Sequence, residues 1–271
     1  MKKALLTCVL LTIAYVLWLV ARCFIFDYFS IPSMSMSPTL KSGDKVVVNK
    51  LLMGARIYCA LNFSPKGTSL SSWRTKGLRM VQRNDIVVFN NPYHDGKVNF
   101  VINDAYCKRI LALPGDSLWT ENGYYRNNNY DGALGIETEQ RRFSAMPDTV
   151  FSKEVLSTFP HDNEHFSGTI KNMYPVYVPR HGDIINITPH EAAYYKVLLE
   201  WELGKEVTWS WGDNMAYADG RPLRRHEFRH NYYFMAGDNV VDSNDSRYWG
   251  LVPEEYIIGI VGFVYHKQEN R

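Results

Sequence analysis

Cysteine is scarce in this chain, with four residues in 271, at positions 8, 23, 59 and 107. Their spacings of 15, 36 and 48 residues match neither a metal-binding framework nor the dense disulfide pattern of a small secreted domain. Cys8 and Cys23 lie in or beside an apolar run, so only Cys59 and Cys107 are placed to pair, and two unpaired, buried thiols are the expectation. An excess of one charge is missing too. Thirty basic against 28 acidic residues leave a net charge of +2, which gives no electrostatic case for a nucleic-acid partner. With 46% apolar and 14% aromatic residues, the chain is neither disordered nor fibrous, and its length suits one large or two small domains. A second long apolar run is absent as well, so the mean hydropathy of -0.27 conceals one concentrated segment.

That segment runs without a charge from Ala4 to Ala21 and continues beyond Arg22 through Phe24, Ile25 and Phe26 to Asp27. Its length crosses a bilayer. Lys2 and Lys3 precede it and only Arg22 lies near its far end, which predicts a cytoplasmic N-terminus with the remainder outside. A cleavable secretory signal shares these features. The apolar stretch is too long for one, however, and no small-x-small site follows closely, so an uncleaved anchor is expected.

Beyond the anchor, Pro32, Pro38 and the serines between them predict an extended segment, followed by a turn at residues 41–44 and a strand at Val46–Val48. Residues 53–84 read as a long surface loop. Ile86–Phe89 and Phe100–Leu113 read as buried strands, as do Tyr232–Ala236 and Ile257–Tyr265. Between them, residues 117–230 carry hairpin signals at Asn122-Gly123, Asp131-Gly132 and Asp219-Gly220, which predict an inserted, mostly β subdomain. One helix is expected there, with Thr188 as N-cap, Pro189 in the first turn, Glu191 closing a capping box and Gly204 at the end. The fold class is mainly β: a transmembrane helix in 1–26, a β-rich catalytic core in 27–116 and 231–271, and an insertion in 117–230.

Three segments carry candidate chemistry. Ser33, Ser35 and Ser37 recur at period two, with Met34 and Met36 between them, and on an extended chain their hydroxyls share one face. In the strand around Tyr106-Cys-Lys-Arg-Ile110, alternation places Lys108 with Tyr106, Ile110 and Ala112 on an apolar face. Either Lys108 snorkels to the surface, or burial lowers its pKa and makes it a general base. A serine hydroxyl needs such a base. The third segment, Gly237–Gly250, is a loop dense in turn formers, hydroxyls and carboxylates, including Asp242, Ser243, Asp245 and Arg247.

Read in chain order, Ser33-Met-Ser-Met-Ser-Pro-Thr-Leu40, Arg83-Asn-Asp-Ile-Val-Val-Phe89, Lys108-Arg-Ile-Leu-Ala-Leu-Pro-Gly-Asp116 and Gly237-Asp-Asn through Asp245-Ser-Arg-Tyr-Trp-Gly250 resemble bacterial type I signal peptidases. Those are membrane-bound serine endopeptidases that use a Ser/Lys dyad to remove signal peptides from exported preproteins. The resemblance covers the anchor and core but hardly residues 117–230. It implies a signal-peptidase-like core, with Ser35 as nucleophile and Lys108 as the base that takes its proton and returns it to the leaving amine. It also implies Ser33 and the Ser35 N–H as oxyanion donors, and Ser243 as the hydroxyl that orients the lysine. Arg109, Asp238, Asp245 and Arg247 become scaffold, with an Asp245–Arg247 salt bridge. Two departures stand out: Met34 where many members have Gly, and Val240-Val241 where the loop usually has Arg-Asp. The implied partners are signal peptides with small-x-small sites and membrane lipid, with no cofactor and no metal. The implied location is the bacterial inner membrane, with the catalytic part on the periplasmic side.

Rival readings rest on other residues. His226-Glu-Phe-Arg-His230 matches the zinc-peptidase pattern, but that chemistry needs both histidines on one helix face, and the residues around it predict a strand, on which they lie about 13 Å apart. His161 and His165, with Asp162 and Glu164, are expected to decorate a loop. A self-cleaving repressor would also use a Ser/Lys dyad, but it would carry a DNA-binding domain. A non-catalytic, membrane-tethered relative is the non-enzyme alternative, and the complete set of dyad residues argues against it. The tether adds a geometric expectation: nine residues separate Phe26 from Ser35 and span at most about 30 Å, so Ser35 stands close to the membrane surface.

Overall fold

The computed structural model describes residues 2–60, 63–162 and 164–267. Helix α1 (Lys2–Phe24) has 23 residues and none is buried. At 1.5 Å per residue it is about 34 Å long, and among the described helices it alone is long and apolar enough to cross a membrane. It ends two residues before the expected boundary because a polar knot closes it there. Arg22 pairs with Asp27, and Lys50 Nζ donates to the Arg22 carbonyl at 2.7 Å and to Asp27 at 3.2 Å. The chain enters β1 (Phe26–Ser30) directly, which pairs antiparallel with β2 (Lys45–Asn49).

Residues 53–84 are more ordered than a plain loop, since β3 (Arg56–Tyr58) and β4 (Ser72–Arg74) form a hairpin. Arg56 holds it by donating to the carbonyls of Glu255 and Tyr256. Next come β5 (Ile86–Asn90), the short hairpin β6 (Tyr93–His94) and β7 (Lys97–Val98), and β8 (Ala105–Ala112). The last begins later than expected, after a turn at residues 102–103.

Segment 117–230 contains β9 (Ser117–Glu121), β10 (Tyr124–Asn127), α2 (Glu137–Ala145), α3 (Lys153–Leu156), β11 (Val176–Tyr177), β12 (Ile184–Asn186), α4 (Pro189–Leu203), β13 (Val207–Ser210), β14 (Met215–Ala218), β15 (Arg221–Pro222) and β16 (Arg225–Glu227). Its strands are short and pair in small separate sheets, with helices α2 and α3 in addition to the expected one. Helix α4 has the anticipated ends. Thr188 and Glu191 close the capping box, and Gly204 takes the left-handed conformation at φ 63° that lets the chain turn away.

The chain returns through β17 (Tyr232–Ala236), α5 (Ser246–Trp249), β18 (Val252–Pro253) and β19 (Ile257–Tyr265). The main sheet has the order β1-β2-β19-β5-β8-β17-β18. One core joins both parts of the chain: Leu111 and Ala112 of β8 and Phe234 and Ala236 of β17 pack with Leu118, Tyr195, Leu198 and Val207. The insertion is therefore welded to the main sheet by shared apolar burial.

Candidate active site

The segment from Ser33 to Leu40 is a series of turns instead of the expected extended run. Two apolar side chains cause this. Met36 and Leu40 are buried with Ile31, Val46, Val48 and Val88, and the backbone bonds from Ser37 N to Met34 O and from Leu40 N to Met36 O (both 2.9 Å) curl the chain between them. The three hydroxyls thus do not line one strand face. Ser33 and Ser35 still meet, with their Oγ atoms 3.2 Å apart. Asn239 clamps this loop from the other side, its N–H donating to the Ser35 carbonyl at 3.1 Å and its Nδ2 to Met34 O at 3.2 Å.

Lys108 lies 73 residues further on, in the middle of β8, and is 2% exposed. Its Nζ is 2.6 Å from Ser35 Oγ. Burial dominates the lysine and lowers its pKa from the usual 10.5, while the more distant Asp245 carboxylate pulls the other way. A neutral amine at that distance accepts the serine proton. The snorkelling reading of Lys108 is excluded by its burial.

Around the pair, one fully buried and one partly buried ion pair fix the backbone. Arg247 grips Asp245 with Nε and Nη2 at 2.8 and 2.7 Å, and neither side chain is exposed. Asp245 also accepts from Gly237 N at 2.9 Å. Arg109, whose side chain alternates away from Lys108, grips Asp238 through two 2.6 Å bonds, and Thr39 donates to the same carboxylate at 2.5 Å. Thr39 and Asn239 were not singled out from sequence, although both stand inside quoted motifs, Ser-Pro-Thr-Leu and Gly-Asp-Asn. They tie the serine loop to β8 and to the loop after β17.

Ser243 departs from its implied role. It is buried beside Gly237, yet among the described residues its Oγ has no hydrogen-bond partner, Lys108 included. The lysine directs its bond to Ser35 instead. Gly237 explains how close these elements lie, since a Cβ there would stand 2.2 Å from Ser243 Oγ and 2.3 Å from Ser35 O. Gly237→Ala is therefore expected to displace the serine loop and to lower any reaction that uses the Ser35–Lys108 contact at least about tenfold, which initial-rate comparison with the wild type measures.

The Val240-Val241 departure also has a physical account. Val240 is buried against Phe143 and Ile170 of the insertion, and Val241 packs on the same cluster. Phe159 N donates to Arg247 O at 2.8 Å. Apolar packing from the insertion supports this loop at the two positions where the resemblance led us to expect an arginine and an aspartate.

A cleft of about 490 Å³ opens beside Ser35 and Lys108, lined by the loop from Ile31 to Met36 and by residues 104–108. Strand β5 pairs with β8 from Ala105 to Arg109, but β17 pairs with it only from Arg109 to Ala112. Residues 105–108 therefore present an open strand edge to the cleft.

The other candidates fall elsewhere. His226 lies on β16 and bonds buried Glu202 at 2.7 Å, whereas His230 bonds Glu255 at 2.6 Å. The two histidines thus have separate partners and share no helix face. His165 bonds Asp162 and stacks on Trp211, and His161 bonds the Tyr248 carbonyl. Cys59 and Cys107 are both free, as expected, but Cys59 is exposed and Cys107 only partly buried, which corrects the expectation of two buried thiols. Burial pushes the Cys107 thiol up to about 12.

A family model described as signal peptidase, peptidase S26, matches residues 3–266. Among curated proteins, signal peptidase I of Buchnera aphidicola subsp. Schizaphis graminum is 28% identical over 259 residues, covering 93% of this chain and 72% of that one. Signal peptidase I of Helicobacter pylori strain J99 is 29% identical over 251 residues, covering 89% and 75%. The Pseudomonas fluorescens protein of the same name is 28% identical over 251 residues, covering 89% and 65%. A crystal structure of a signal peptidase I from Enterococcus faecalis V583 aligns with 68% of this chain and 97% of that one at 16% identity, with a TM-score of 0.31, too low to bear on the argument.

Proposed function

From the premise that this chain belongs to the signal peptidase family, peptidase S26, we propose that it removes signal peptides from exported preproteins with Ser35 as nucleophile and Lys108 as general base. The observation that carries this reading is the 2.6 Å contact between Ser35 Oγ and the Nζ of a lysine that is 2% exposed. The substrate strand adds to the open edge of β8 at residues 105–107. Neutral Lys108 takes the Ser35 proton as Oγ attacks the scissile carbonyl, and the ammonium then protonates the leaving amine. Water, activated by the same amine, releases the acyl group. Ser33 Oγ and the Ser35 N–H donate to the oxyanion. Ser243 is assigned the support of the amine, on the resemblance alone.

Helix α1 is the membrane anchor of this reading, with Lys2 and Lys3 on the cytoplasmic side and the catalytic part outside, in the periplasm. The catalytic core comprises 27–116 and 231–271, and 117–230 buttresses it. The short tether from Phe26 holds Ser35 near the membrane, where the scissile bond of a signal peptide emerges behind its apolar segment. Met34, 44% exposed, is placed to touch lipid, whereas Met36 belongs to the core.

The test is cleavage of a preprotein bearing an Ala-x-Ala site, in detergent. The wild type is expected to cut after the second alanine, and Ser33→Ala to lower kcat by about 10²- to 10³-fold, as for loss of one oxyanion donor. Activity that is lost to a chelator and restored by zinc would contradict the reading and favour His226 and His230.

A further inference from the structure

Asp104 stands just before β8, in the same cleft as Ser35 and Lys108 but at its other end. Its environment differs from that of the structural carboxylates. Asp245 and Asp238 spend both oxygens on arginine. Asp104 is held through Oδ2 alone, by His94 Nε2 at 2.9 Å and Asn91 Nδ2 at 3.2 Å, and its Oδ1 receives no hydrogen bond among the described residues. The side chain is 36% exposed. His94 Nδ1 is buried without a partner among the described residues, so Nε2 is the ring nitrogen that meets the carboxylate. A carboxylate fixed by one oxygen and open at the other is arranged to receive a further donor.

The cleft has one cation, Lys108, whose charged form burial disfavours. Its carboxylates are Asp104 and the exposed Asp242, so acidic side chains outnumber basic ones in its lining. From Lys108 back to Asp104 is four residues of nearly extended chain, about 13 Å. A peptide lying on the open edge of β8 runs alongside and brings its own fourth residue from the scissile bond to Asp104. We infer that Asp104, positioned by His94 and Asn91, is a specificity determinant that favours a lysine or arginine about four residues from the scissile bond and disfavours an acidic residue there. This rests on the peptidase reading above.

The experiment uses the full-length enzyme in detergent and a substrate series with one small-x-small site, in which each position three to five residues from the scissile bond, on either side, carries Lys, Glu or Ala. At one position the wild type is expected to cut the Lys substrate with a kcat/KM about tenfold above the Glu substrate, the size of one partly exposed charge contact compared between attraction and repulsion. The ratio should fall toward one in 1 M salt, where the screening length is about 3 Å, and in Asp104→Asn. Equal rates for Lys and Glu at every position would overturn the inference, as would a preference that survives in Asp104→Asn or in high salt. The salt series needs only the wild type, so it can overturn the inference even where the variant folds poorly. Failure to cut the Ala substrate would remove the peptidase reading itself, whereas cutting it without charge preference removes Asp104 selection alone.

Discussion

Ser35→Ala is expected to lower kcat for preprotein cleavage by about 10⁴- to 10⁶-fold, the range seen when a nucleophile is deleted from a serine peptidase. The loss is this large because the remaining groups have no covalent step to assist: Ser33 still offers a donor, but there is no hydroxyl at position 35 for Lys108 to deprotonate. The fold should be unaffected. Ser35 Oγ touches only Ser33 and Lys108 among the described side chains, and its backbone carbonyl, which receives the Asn239 N–H, is unchanged by the substitution. Thermal unfolding by circular dichroism, run beside the cleavage assay, separates the two effects. An inactive variant with an unchanged midpoint is the expected pair of results.

Asp245→Ala is expected to be the most destabilising of the single substitutions considered, at about 3–5 kcal/mol, because it leaves a fully buried guanidinium without its partner. Three consequences add up in one place. Arg247 loses both of its bonds to Asp245, the Gly237 N–H loses its acceptor, and α5 loses the side chain that caps its first turn. Urea unfolding measures the cost. Burial alone would raise the Asp245 carboxyl, but the attraction and hydrogen bonds of Arg247 outweigh it and hold the group below its usual 3.8. With a folded pKa below the unfolded one, the pair's stabilisation is present above about pH 4 and is lost as pH falls through the depressed value. Wild type and Asp245→Ala should therefore differ most near neutrality and converge in strong acid. Arg247→Met tests the same pair from the other side. It leaves the Asp245 charge uncompensated near Lys108, which should raise the lysine pKa and move the alkaline rise in activity upward.

Much of the site was legible in the sequence because its chemistry is carried by residue types in short, ordered motifs. Strand alternation placed Lys108 on an apolar face, and desolvation follows from that placement. The Asp245–Arg247 pair came from the resemblance, and burial leaves an arginine beside an aspartate little alternative to pairing. The helix from Pro189 was readable from its caps alone. Other features depend on long-range packing that no local pattern reveals. The serines looked extended, but Met36 and Leu40 sink into the core formed by β2 and β5 and bend the loop. Val240 and Val241 looked like a loss of ionic support, yet Phe143 and Ile170, distant in sequence, supply apolar support. The insertion read as a separate unit because its turns are frequent and polar, whereas its inward side chains share a core with β8 and β17. Ser243 sits beside Gly237 in the same loop, but which partner its hydroxyl takes is not readable from a local pattern.

The central claim is that a buried, deprotonated Lys108 activates Ser35, and the pH dependence of kcat/KM for a preprotein substrate tests it most directly. Burial favours the neutral amine, so activity should rise with pH through a midpoint below the usual lysine value of 10.5 and level off above it. A midpoint at or above 10.5, or a rate with no alkaline rise, would contradict the account.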